Sequence, residues 1–96
     1  MQVAQTILEQ LGGRKFIFMT GSKDFLAGEN SLTFTVGRNH KRWNKVKVTL
    51  NGKDLYNMTV YRIAKMKILA EDTVNDIYAE DLQRFFTEYT GLYTRL

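Results

Sequence analysis

Cysteine and proline are absent from this chain, and histidine and tryptophan occur once each, as His40 and Trp43. The missing thiols exclude disulfides, thiolate nucleophiles, zinc fingers and iron–sulfur ligation, and they fit a reducing compartment. With no proline, no low-complexity tract and no internal repeat there is no sign of a linker, and 96 residues are the size of a single domain, 1–96. No apolar run approaches the ~18 residues that a membrane span needs. The start, MQVAQTILE, carries neither the basic stretch nor the apolar stretch of a signal peptide. A cytoplasmic protein without a membrane partner is the expectation.

Acidic residues are scarce in one region only. Residues 38–67 hold nine Lys or Arg against a single acid, Asp54. Residues 1–37 are balanced, and residues 68–96 are acidic, so the formal net charge of +4 conceals a strongly basic middle followed by an acidic end. Such asymmetry points to an anionic partner, or to two regions that attract each other. It permits head-to-tail or two-fold self-association.

Apolar spacing outlines the elements. Val3, Ile7 and Leu11, with Ala4 and Leu8 beside them, form a helical stripe that Gly12-Gly13 ends. Lys15 to Thr20, rich in aromatic and β-branched residues, predicts a strand, and Gly21 to Asn30 a polar connection. Leu32, Phe34 and Val36 alternate with polar residues, as do Val46, Val48 and Leu50, and then Tyr56, Met58 and Val60; each set predicts a half-buried strand. Lys65 to Ala70 extends the last of these or forms a fifth. Asn51-Gly52 predicts a two-residue type I′ hairpin turn. Residues 71–76 read as a loop with Asp76 as N-cap of a final helix whose stripe is Leu82, Phe85, Phe86 and Tyr89, and Gly91 as its C′ residue. The sum is α+β: an antiparallel meander of four or five strands with an N-terminal and a C-terminal helix packed on it.

The opening AQTILEQLGG, the KFIFMTGSKDF that follows, the central VKVTLNGKDLY and the closing YAEDLQRFFTEYTGLYTRL together resemble a group of short proteins encoded by bacterial phages, prophages and other mobile elements. The resemblance spans nearly the whole chain. It implies a setting, the cytoplasm of a bacterial host and a neighbourhood of replication, recombination or anti-defence genes. It brings no functional residue with it, and residues 38–47 lie largely outside the matching pieces.

Catalytic motifs are lacking. His40 sits in a basic loop whose cations oppose its protonation, no Gly-x-Ser-x-Gly elbow occurs, and TGSK at 20–23 lacks the spacing of a phosphate loop. Glu71, Asp72, Asp76, Glu80 and Asp81 have neither a calcium-loop spacing nor a histidine partner, and read as solvated surface and helix capping. The expectation is a non-enzymatic protein without metal or cofactor.

Binding remains. RNHKRWNKVK at 38–47 contains five cations and no acid. Arg38, Lys41, Arg42, Lys45 and Lys47 suit phosphate contacts, and Trp43 suits stacking on an unpaired base. Lys45 and Lys47 share one face of their strand. Lys53, Arg62, Lys65 and Lys67 extend the basic face, and Phe16, Phe18 and Tyr61 add aromatic surface if they face outward. The bland reading stands beside this one: strand exteriors often carry lysine, and a lone Trp is commonly a packing residue. The first expectation is therefore non-sequence-specific binding of a nucleic-acid backbone. The alternative is an inhibitor or adaptor of a host protein, an anti-CRISPR or nuclease inhibitor, for which an acidic last helix with Glu80, Asp81 and Glu88 mimics phosphate charge.

Overall fold

The computed structural model describes residues 2–39, 41–92 and 94; His40, and Tyr93, Arg95 and Leu96 of the apolar ending, lie outside the described residues. The chain runs through α1 (Gln2–Leu11), α2 (Gly13–Thr20), β1 (Lys23–Ala27), β2 (Ser31–Thr35), β3 (Lys45–Leu50), β4 (Tyr56–Ala64) and β5 (Lys67–Ile77). A 3-10 turn (Ala79–Asp81) then leads into α3 (Leu82–Thr90). The strands form one antiparallel sheet in the order β1-β2-β3-β4-β5, a meander, so the protein is α+β with helices at both ends of the chain. Among the described residues no helix is long and apolar enough to cross a membrane.

Alternation decides which face is covered. Leu32 and Phe34, Val46 and Val48, and Tyr56, Met58 and Val60 are all buried and share one side of the pleat. They meet Ala4, Ile7 and Leu11 of α1, Phe16 of α2, and Leu82 and Phe86 of α3 in one core. All three helices therefore lie on the same face. The other face carries Ser31, Thr33, Thr35, Lys45, Lys47, Thr49, Asn57, Thr59 and Tyr61, with none of the three described helices over it.

The segment Lys15–Thr20 is helical, not the strand its composition predicts. In a strand Phe16 and Phe18 would share a face. In the helix they diverge: Phe16 is fully buried, edge-on to Phe34 at 5.5 Å and Phe86 at 5.0 Å, while Phe18 is 87% exposed. Gly12 and Gly13, at φ 126° and 62°, allow a second helix to start immediately after the first. Burial of Phe16 thus outweighs local β-propensity.

Three further expectations are corrected. The polar connection predicted over 21–30 contains β1, an edge strand in which only Phe25 turns to the core, 5.4 Å from Phe34, so no alternation betrays it. The loop predicted over 71–76 belongs to β5, an eleven-residue edge strand with a mostly exposed polar surface. Asp76 does not cap α3; it lies in β5 at φ 60° and accepts hydrogen bonds from Asn51 (2.9 Å) and Lys53 (3.2 Å). Gly91, at φ 77°, does end α3, with Leu92 packed on the core and Thr94 donating to Gln83 Oε1 at 3.2 Å.

The hairpin turn is also displaced. Pairing of Leu50 with Tyr56 leaves a five-residue loop, in which Asn51 Oδ1 accepts from the N–H groups of Lys53 (2.8 Å) and Leu55 (3.3 Å), and Asp54 holds the positive φ of 61°. The two-residue turn lies between β4 and β5, at Lys65 (φ 50°) and Met66 (φ 66°). Neither side chain favours that backbone region, which costs non-glycine residues about 1–2 kcal/mol each. Replacing Lys65-Met66 by Asn-Gly should therefore raise the unfolding free energy by about 1–2 kcal/mol, read from chemical denaturation. An unchanged midpoint would show that this turn is not strained.

Candidate nucleic-acid interface

The basic loop between β2 and β3 is held by two asparagines. Asn39 Nδ2 donates to the carbonyls of Gly37 (3.0 Å) and Trp43 (2.6 Å), and Asn39 Oδ1 accepts from Trp43 N–H at 3.2 Å. Asn44 clasps β4: its Nδ2 donates to Ile63 O at 2.7 Å and its Oδ1 accepts from Ile63 N–H at 2.9 Å. Polar side chains that bond backbone in this way fix turns without a core. The cations of the loop are thus mounted on an ordered frame.

The frame splits the predicted residues. Arg38, Lys41 and Arg42 are exposed on the loop, Arg42 at φ 67°. Lys45 and Lys47 project from the open face of the sheet. Lys45 lies in the row Thr35–Lys45–Tyr61–Glu71, and Lys47 in the row Thr33–Lys47–Thr59–Thr73. Trp43 instead turns to the helix side, where it is half-buried against the core. The six residues therefore do not share one surface.

Other cations join them. Lys23 pairs with Thr35, Lys65 lies in the β4–β5 turn and Lys67 follows it, so all three sit at the same end of the sheet as the loop. Lys53 does not. It lies at the opposite end, in an ion pair with Asp76 at 3.2 Å, which removes it from the predicted basic face. Of the aromatics, Tyr61 faces outward beside Lys45, Phe18 is exposed on α2, and Phe16 is buried. Among the described residues the ion pairs are Lys53–Asp76, Arg84–Asp81 and Arg84–Glu88; no cation of the basic end takes part in one.

Arg62 is the least satisfied of these cations. It is half-buried, with its guanidinium carbon 5.6 Å from the centre of the Trp43 ring, a cation–π distance. One of its terminal nitrogens donates to Lys41 O at 3.2 Å, while no acceptor among the described residues reaches its buried Nε–H. Beside Trp43 opens a groove of about 340 Å³, lined by Lys41, Trp43, Asp72, Glu88 and Tyr89. Lys41 Nζ donates to the carbonyl oxygen of Glu88, fastening the loop to α3. Burial raises the pKa of the Tyr89 hydroxyl, and the charge of Asp72, its hydrogen bond to that hydroxyl and the charge of Glu88 raise it further.

Sequence reasoning passed over three of these groups. Lys23 lies in a segment whose composition predicts a connection, Asp72 in one that predicts solvated surface, and Tyr89 in the apolar stripe of the last helix. Tyr89 carries no signal that separates it from packing, and Asp72 reaches it only because β5 is a strand. Among the described residues no three His, Cys, Asp or Glu side chains are placed to hold a metal ion. A scan against protein-family models, a search of curated proteins and a search of solved structures each return no match to the chain.

Proposed function

We propose that this protein binds a nucleic-acid backbone without sequence choice, through the basic end of its sheet and the adjoining open face, in the bacterial host that its phage-like sequence implies. The observation that carries the reading is the set of unpaired cations at that end: Lys23, Arg38, Lys41, Arg42, Lys45, Arg62, Lys65 and Lys67, none in an ion pair among the described residues. Like charges held together on an ordered frame repel one another, and an anionic partner relieves the repulsion. Lys45, Lys47 and Tyr61 on an uncovered sheet suit a single strand, whose phosphates meet the lysines and whose bases stack on the phenol ring. Glu71 shares their surface, in the row of Lys45 and Tyr61. The competing reading, phosphate mimicry by α3 toward a host protein, is weakened by Arg84, which pairs with Asp81 at 3.6 Å and Glu88 at 3.2 Å.

Salt dependence tests the proposal. Each phosphate contact on a single strand adds about 0.7 to the slope of log affinity against log salt. Four contacts give a slope of about −3, so a fourfold rise in salt should weaken binding roughly fiftyfold. Labelled single- and double-stranded DNA and RNA, titrated at two salt concentrations, provide the measurement. No binding even at low salt would end this reading. Retention of one specific host protein from nuclease-treated lysate would then favour the competing one.

A further inference from the structure

We propose that the groove between the basic loop and α3 holds one unpaired guanine base of the bound strand. The inference rests on the backbone-binding reading above and adds to it a base preference. Its starting point is the mixed chemistry of the lining. Trp43 and Tyr89 offer aromatic surface, Asp72 and Glu88 offer acceptors, and Lys41 offers a donor. The volume, about 340 Å³, lies at the low end of the range for ligand sites and suits a single base.

Aromatic rings with carboxylates also suit an ammonium or guanidinium guest. Two cations oppose that here: Lys41 lies in the lining, and Arg62 already stands over the Trp43 ring. A neutral planar guest with donors and an acceptor fits better. The carboxylates narrow the choice. Glu88 is engaged by Arg84 at 3.2 Å. Asp72 accepts from Thr73 N–H at 2.9 Å and lines the groove beside Tyr89, which leaves acceptor capacity on an exposed carboxylate.

Guanine presents two neighbouring N–H donors, N1 and N2, which one carboxylate accepts together, and beside them the O6 acceptor, which an ammonium satisfies. Adenine and cytosine place a ring-nitrogen lone pair next to their amino group, which a carboxylate repels. Thymine and uracil offer one donor between two carbonyls. Asp72 and Lys41 thus match guanine alone among the common bases. The basic end lies next to the groove, so a strand held there can direct one base into it.

Trp43 is the only tryptophan, so its fluorescence reports on the groove directly. The test titrates the full chain with a short all-thymine strand and with the same strand carrying one central guanine. The guanine strand should bind about tenfold tighter and quench Trp43 more deeply. Hypoxanthine in place of guanine, which lacks the N2 amino group, should lose most of that gain. Asp72→Asn keeps an oxygen for Thr73 N–H but replaces one acceptor by a donor. It should abolish the guanine preference and leave all-thymine affinity unweakened at the same salt. Equal affinity for the two strands, with salt-dependent binding intact, would overturn the guanine site and leave the backbone reading standing. A guanine preference that survives Asp72→Asn would overturn its assignment to this groove. If neither strand binds at low salt, both readings fall.

Discussion

Phe34→Ala should lower the free energy of unfolding by about 3–5 kcal/mol, most of the margin of a small domain whose total is about 5–15 kcal/mol. Phe34 is fully buried at the centre of an aromatic group. Phe16 stands edge-on to it at 5.5 Å, Phe25 is tilted at 5.4 Å, and Phe86 lies at 6.3 Å. These rings come from α2, β1, β2 and α3, so one truncation loosens four elements at once. The loss combines transfer free energy with a cavity that the surrounding rings cannot all move to fill. Phe18→Ala provides the contrast. With Phe18 87% exposed, its removal should change stability by less than about 0.5 kcal/mol. Urea unfolding followed by far-ultraviolet circular dichroism separates the two. A loss below about 1 kcal/mol at Phe34 would mean that the aromatic group is not the keystone of the packing.

Lys45→Glu with Lys47→Glu should weaken single-strand binding by about a hundredfold, while Lys53→Glu should leave it nearly unchanged. Both lysines of the pair stand on the uncovered face, in adjacent rows around Tyr61 and Thr59. Loss of a charge-assisted hydrogen bond costs about 1.5–3 kcal/mol, and for solvent-exposed lysines two losses at the low end of that range give roughly the stated factor. The salt slope should fall by about 0.7 for each lost contact. Lys53 carries the same charge but sits at the far end of the sheet, paired with Asp76, with side chains 71% and 44% exposed. A pair so exposed contributes about 1 kcal/mol or less, so the Lys53 variant stays folded. Equal loss in both variants would indicate attraction to net charge alone. No loss in the double variant would remove the open face from the interface.

Much of the fold is legible in the chain, for identifiable reasons. The three central strands alternate cleanly because each lies between two neighbours and carries one buried face. The terminal helices show their stripes because each meets the core along a single side. Edges are where legibility fails. β1 and β5 pair on one side only and bury little, so their polar residues read as loops. α2 is hidden by its own composition, since Phe16, Ile17 and Phe18 suit a strand until Phe34 and Phe86 claim the first of them. The basic end is visible as a run of charge. Its division is not, because the side to which Trp43 turns depends on the hydrogen bonds of Asn39 and Asn44 and on the approach of α3.

The borders of the sheet have a consequence for how the molecule meets others. β1 is broken by a register shift between Lys23 and Leu26, and Asp24 has a φ of 57°. Two more shifts interrupt β5, one at the step from Arg62 to Ile63 and one at the step from Tyr56 to Met58, which leave Ala70 to Val74 as its longest stretch of unbroken register. Glu71 and Asp72 lie within that short stretch. Irregularity and charge of this kind deny an incoming chain a straight row of free amides and carbonyls. The sheet is thereby closed to lateral growth, and a molecule with a bare lysine- and threonine-bearing surface resists stacking into ribbons.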